Sequence, residues 1–189
     1  MSRAYRIQVR ESLRRVLRGS DRVSTQLELL DILPCEQMAE LLHQELIRRG
    51  FQEKDNELIR QQDGITVRLD PQSGTIAVEV ETKETVQLES QREGHGYDDL
   101  GPSARRIQEA LRAEAQQDLA AQAEHQRERL QAQAADKLEA FLGDLRQELN
   151  QVTNRVTADA LKIKAQQLGQ IKELTEDPQT GSMTIVLEV

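Results

Sequence analysis

The sequence predicts an α+β protein: an antiparallel sheet with one packed helix (ββαβββ), then a long coiled-coil or helical-hairpin arm and a C-terminal β-hairpin. Three observations carry that reading. Apolar residues alternate at period two through much of residues 5–88, the spacing of half-buried strands. Residues 35–49 and 103–168 switch to helical spacing, and the last residues return to strand chemistry. The domains expected are a head at 1–89, a Gly-containing linker at 90–102, a helical arm at 103–168 and a hairpin at 169–189.

In the first element Tyr5, Ile7, Val9, Leu13 and Leu17 fall on odd positions, while Arg6, Gln8, Arg10, Ser12 and Arg14 fall on even ones. That is a strand with one basic, solvated face; a helix over Val9, Leu13, Val16 and Leu17 is the alternative. Gly19-Ser20-Asp21-Arg22 reads as a turn, after which Val23, Thr25, Leu27 and Leu29 form a second strand. Pro34 then opens a helix in which Met38, Leu41, Leu42 and Leu46 share one side, with Arg48 and Arg49 in the last turn and Gly50 at the stop position. Strands follow at 58–61, 65–69 and 75–88, separated by Gln62-Asp63-Gly64 and Asp70-Pro71-Gln72-Ser73-Gly74.

Residues 90–103 hold three Gly and one Pro, the composition of a linker. Beyond them, residues 113–135 contain eight Ala and six Gln, strong helix formers. From Leu138 the apolar steps through Leu142, Leu145, Leu149, Val152 and Val156 run 4-3-4-3-4, an a/d heptad seam that a partner helix would cover. Upstream the seam thins to Ile107, Leu111, Leu119, Ala123, Leu130 and Ala134. The arm is expected either to fold back near 135–137 or Gly143, the favoured arrangement, or to pair antiparallel with a second copy as a homodimer. Asp177-Pro178-Gln179-Thr180-Gly181 repeats the turn chemistry of 70–74 ahead of the final strand. A lone two-stranded hairpin is marginal in water, so this tail is expected to join a larger sheet or another apolar surface.

Composition narrows the function. The chain carries 33 Asp+Glu against 25 Lys+Arg, a net charge of −8, which argues against a dedicated nucleic-acid binder. No apolar run approaches the ~20 residues of a membrane span, and the Arg-rich start has no apolar stretch behind it, so a cytoplasmic protein is expected. A single cysteine excludes an intrachain disulfide and any multi-Cys zinc site. No phosphate-binding, dinucleotide-binding or zinc-protease motif occurs, and no cofactor is implied.

Few residues bear chemistry. Cys35 sits at a helix start, where the dipole favours a thiolate, but His43, His95 and His125 are dispersed and no nucleophile–base pair can be read from spacing. Gly94-His95-Gly96-Tyr97-Asp98-Asp99 mixes hinges, an imidazole and carboxylates, and could rim a small-ligand or nucleotide-sensing site; a polar hinge is the simpler reading. Six arginines lie within residues 1–18. They could meet phosphate or an acidic protein partner, or pair across the sheet with acidic strands such as 78–89. The candidate interaction residues are Arg6, Arg10 and Arg14 on the basic strand and Leu138, Leu142, Leu145, Leu149 and Val152 on the seam.

The opening Ser2-Arg3-Ala4-Tyr5-Arg6-Ile7-Gln8-Val9-Arg10-Glu11-Ser12-Leu13, the stretch from Val23 to Pro34 with its helix to Gly50-Phe51, and Glu176-Asp177-Pro178-Gln179-Thr180-Gly181 resemble accessory proteins of bacterial ternary systems. In those operons a membrane AAA-protease-like ATPase, a von Willebrand A protein and a MoxR-like ATPase occur with several companions. The resemblance implies a companion or adaptor in an ATP-driven assembly, with the ATPase activity residing in its partners. It assigns no site residues. The missing catalytic constellation beside a heptad seam makes the expected role that of a non-enzymatic adaptor or assembly subunit.

Overall fold

The computed structural model describes residues 5–96, 102–176 and 183–188. Its elements are β1 (Tyr5–Gln26), α1 (Cys35–Arg48), β2 (Gln52–Lys54), β3 (Glu57–Gln62), β4 (Ile65–Asp70), β5 (Thr75–Gly96), α2 (Pro102–Leu168), β6 (Gln170–Glu176) and β7 (Met183–Glu188). Strands β1 to β5 form one sheet in the order β1-β5-β4-β3-β2, and β6 and β7 form another. The predicted class holds, but the strands are apportioned differently, as βαββββ.

Residues 5–26 are one strand, with no turn at 19–22. Gly19 serves another purpose there: a Cβ on it would overlap the Leu130 carbonyl of α2, so its hydrogen lets helix and strand backbones touch. The three-residue β2 was not expected; its connection to β3 uses Asp55 and Asn56, both at positive φ, and pairs Lys54 with Glu57. β5 continues to Gly96, so of the stretch read as a linker, 90–96 is strand and 97–101 lies outside the described residues. The Asp-Pro-Gln-Thr-Gly segment at 177–181, expected to be a turn like 70–74, lies outside them too.

The chain divides into two compact units, Met1–Asp21 with Glu81–Ala135 and Arg22–Val80 with Asp136–Val189, so β1, β5 and α2 each contribute to both. In the second unit, the register of β3, β4 and β5 places Leu58, Ile65, Val67, Leu69, Ile76, Val78 and Val80 on one face, all buried. Helix α1 buries Met38, Leu42 and Leu46. It stops as its sequence predicts, with Gly50 at φ +87° and the Phe51 amide donating to the Leu46 carbonyl at 3.1 Å. From the same sheet face Arg60 grips Glu148 of α2 with two 2.7 Å hydrogen bonds and lies 4.6 Å above the Phe51 ring. Arg49 reaches Gln151 at 3.3 Å, and the Lys137 ammonium donates to the Asp63 carbonyl.

Helix α2 is continuous through 135–137 and Gly143, so the expected fold-back does not occur. Leu138, Leu145, Leu149, Val152 and Val156 are buried within the single chain and Leu142 is half-buried. The heptad spacing marks a real apolar stripe, and Arg60, Arg49 and Asp63 fasten that stretch of helix within its own unit. β6 and β7 pair only with each other among the described residues, from Gln170 opposite Glu188 to Glu176 opposite Met183, rather than extending the head sheet. Leu174 and Val186 remain 42 % exposed.

Two predictions follow from this packing. Gly19→Ala should destabilise the protein by about 1–3 kcal/mol in urea denaturation, because the new methyl group meets helix backbone. Gly143→Ala, with nothing within 4 Å of the added carbon, should stabilise by about 0.5–1 kcal/mol as an ordinary helix propensity gain. Equal effects of the two changes would refute the close-approach role of Gly19.

The second concerns pH. The Arg60 hydrogen bonds, reinforced by its charge, hold the Glu148 carboxyl below its usual 4.5. A depressed folded-state value means that the unfolded chain takes up the proton first on acidification. The pair therefore contributes fully above about pH 4.5 and loses its contribution as pH falls through the lower folded value. Glu148→Gln should cost about 1 kcal/mol at pH 7 and flatten that part of the stability–pH curve, measured by urea midpoints from pH 7 to 3.

Candidate interaction surface

In the first unit the sheet is a ribbon of two strands, β1 and β5, with α2 on one face. Odd residues of β1 turn inward: Val9, Leu17 and Gly19 are buried, and Ile7, Glu11 and Leu13 are half-buried. From β5 the inward residues are Val86, Leu88, Ser90, Arg92 and Gly94, and Leu17, Val86 and Leu130 form a common core with Leu88 packed against it. Helix α2 meets this ribbon with Leu111, Ala115, Leu119, Ala123, Leu130 and Ala134, all buried. The thin seam of small residues is thus the face of a helix lying close on a ribbon, since alanine admits nearer approach than leucine.

A polar knot fixes the contact. Ser90, 4 % exposed, donates to Asp118 Oδ2 at 2.7 Å, and Arg92 stands 3.2 Å from the same oxygen. The Ser90 hydrogen bond, helped by the Arg92 charge, holds the Asp118 carboxyl below the usual carboxylate range. Arg112 donates to Glu11 at 2.9 Å, and the Thr82 hydroxyl reaches the carbonyls of Gly19 at 3.2 Å and Leu130 at 3.0 Å.

On the outer face the arginines meet acids of β5. Arg6 pairs with Glu93, Arg10 with Glu89 and Arg18 with Glu81, a constant antiparallel register in which Arg14 lies opposite Thr85. Hydrogen bonding to Arg6 lowers the Glu93 carboxyl, and hydrogen bonding to Glu89 raises the Arg10 guanidinium. Pairing across the sheet, one of the readings open from the sequence, accounts for Arg6 and Arg10. It does not account for Arg14, nor for Arg15, one of the six arginines counted in residues 1–18 but not among the candidate interaction residues; both are exposed and make no ion pair among the described residues.

The edge of β1 and helix α2 bound a groove of about 720 Å³, lined by Leu13, Val16, Leu119, Ala120 and Ala123, with Arg15, Arg18 and Arg127 at its rim. Val16 is 54 % exposed. The rim acids are engaged: Glu11 with Arg112, and Glu124 with Arg127 at 3.7 Å. Such a surface can bind an extended chain through backbone groups and cations, and holds no set of groups that would move a proton or attack a bond.

Cys35, His43 and Glu53 line one open pocket with Glu36 and Glu40, but no thiol–base pair forms within it. Cys35 opens α1 and is exposed, and His43 lies eight residues on, about 12 Å along the axis at 1.5 Å per residue. His43 Nε2 is 3.2 Å from Glu53 instead. Of the Gly94–Asp99 segment, Gly94 to Gly96 is strand, with Gly94 backed by Leu111 and Ile107, while Tyr97, Asp98 and Asp99 lie outside the described residues. Among the described residues no group of three His, Cys, Asp or Glu is placed to hold a metal ion.

Compared with known families, residues 1–189 match the model of FtsH ternary system domain X5 along their whole length. The chain belongs to that family. No curated protein and no solved structure matches it. The resemblance to accessory proteins of ternary systems, carried by the opening strand, first helix and closing turn, is thereby confirmed, and an accessory role in an FtsH-associated system follows at family level. No helix of the described residues is long and apolar enough to cross a membrane.

The outer charge ladder of this domain X5 protein makes a direct prediction. Arg10→Glu and Glu89→Arg should each lower the urea midpoint by setting like charges opposite one another, and the double exchange should recover most of the loss. The differences should shrink in 1 M salt, where exposed charges are screened. Singles that match the wild type at low salt would remove Arg10–Glu89 from the forces aligning the ribbon.

Proposed function

We propose that this domain X5 protein is a non-enzymatic adaptor or assembly subunit that works in the cytoplasm by binding other components of its ternary system. The whole-length family match carries this reading, because it ties the chain to a system named for an FtsH-type ATPase. Its partner is the membrane AAA-protease-like ATPase, the MoxR-like ATPase or the von Willebrand A protein of the same system. The placement of Cys35 and His43 two helical turns apart supports binding over catalysis, since a thiol and its base need hydrogen-bond distance. A homodimer through the arm is less well supported: Leu138, Leu145, Leu149 and Val152 are already buried in one chain, and Leu142 offers only part of its side chain.

The test is co-expression of the tagged full-length chain with each of those three components, followed by gentle affinity purification and ATPase assays. One component should be retained in stoichiometric amount and its ATP turnover altered, while the chain alone turns over no ATP. Retention of none of the three, with all soluble and folded, overturns the reading.

A further inference from the structure

We propose that the free edge of β1 across residues 11–18, roofed by α2 at 116–127, is a docking groove for an extended acidic segment of a partner protein, added as a strand beside β1. This rests on the adaptor reading and supplies its chemistry. β1 ends the strand order, so from residue 11 to 18 one row of its backbone N–H and C=O groups has no neighbouring strand among the described residues. A bare edge of that kind is what strand addition uses, with main-chain hydrogen bonds giving affinity and alternate side chains giving specificity.

Here the two sides of an added strand would meet different surroundings. Side chains turned toward the helix find Ala120 above the nearly buried Leu119 and Ala123, with Gln116 beside them. Side chains turned outward find Arg15, Arg18 and Arg127, of which Arg18 also pairs with Glu81 and Arg127 with Glu124. Arg14, exposed and next to Arg15 in the strand, stands beside the groove without lining it. Arg14 and Arg15 have no ion pair among the described residues, whereas Glu11 and Glu124 are already occupied by Arg112 and Arg127. The unmatched charge at this edge is therefore positive, in a chain whose net charge is −8. The occupant that fits alternates acidic with aliphatic residues.

A second copy fits worse. Antiparallel pairing of β1 with itself centred on this groove sets Arg14 opposite Arg14 and Arg10 opposite Arg18, and like charges directly opposed are destabilising. That register therefore disfavours a second copy, and an acidic strand is the better complement.

The experiment uses the full-length chain and a fluorescent twelve-residue peptide of alternating Glu and Val, read by anisotropy and by amide hydrogen exchange. Three comparisons are made: a Lys–Val peptide, a Glu–Val peptide N-methylated at alternate residues, and the Arg14→Gln/Arg15→Gln variant. Saturable binding of the Glu–Val peptide is expected, together with slowed exchange within residues 11–18. The Lys–Val and N-methylated peptides should bind at least about tenfold more weakly, and the variant should lose about tenfold in affinity. Both arginines are exposed, so an unchanged circular dichroism spectrum and thermal midpoint are expected for the variant.

No saturable binding at millimolar peptide overturns the groove, as does equal binding of the N-methylated peptide or protection confined to residues outside 11–18. Should the groove fail while a ternary-system component still co-purifies, the adaptor reading stands and its contact lies elsewhere. Should the peptide bind and no component co-purify, the groove stands and the assigned partners are wrong.

Discussion

A two-stranded ribbon with one apolar face is not stable in water, and the first unit of this protein is such a ribbon laid under a helix. Its structure follows from the need to bring α2 close to β1 and β5. Close approach requires small residues on both sides of the contact, and they are present: Gly19 and Gly94 on the strands, Ala115, Ala123 and Ala134 on the helix. Larger residues at these places would lift the helix and uncover Leu17, Val86 and Leu130. The same closeness buries Ser90, whose hydroxyl must then find an acceptor, and Asp118 provides it.

The second unit solves its own covering problem with bulk. Its sheet offers a wide face of Val, Leu and Ile, and in this unit α2 buries Leu145, Leu149, Val152 and Val156 in place of alanines. One long helix thus changes composition where its task changes, from near-contact on a narrow ribbon to filling space in the second unit. Arg60 is the charged exception on that face. Its bidentate bond to Glu148 and its stacking on Phe51 satisfy the guanidinium at the point where strand, helix and loop meet.

Much of this was legible in the sequence. Met38, Leu42 and Leu46 announced α1, and Gly50 its end; Asp63-Gly64 and Asp70–Gly74 announced their hairpins. Two signals were read correctly as patterns and wrongly as causes. Gly19-Ser20-Asp21 has turn chemistry, yet the apolar residues keep odd parity from Val9 through Leu17 to Val23 and Leu27, which a single strand preserves. The 4-3-4-3-4 steps after Leu138 show that one helix face is covered, but spacing alone does not distinguish a partner helix from the rest of the same chain. The ribbon's arginines illustrate a further limit. Charge counts suggested pairing with β5, but only the register revealed that it satisfies Arg6, Arg10 and Arg18 and bypasses Arg14.

That bypass bears on how an acidic protein could recognise an acidic partner. At physiological ionic strength the Debye length is about 8 Å, so most of the −8 net charge is screened from a segment lying against β1. Groups within a few ångströms are not screened in the same way, and those left without an ion-pair partner among the described residues at this edge are guanidiniums. Long-range repulsion therefore slows encounter without abolishing the local attraction, and it falls further as salt rises. Raising salt weakens the arginine contacts as well. An edge that is locally cationic on a globally anionic chain thus discriminates by position as well as by sign: an acidic segment is held only where it lies alongside β1, and is turned away from the rest of the surface.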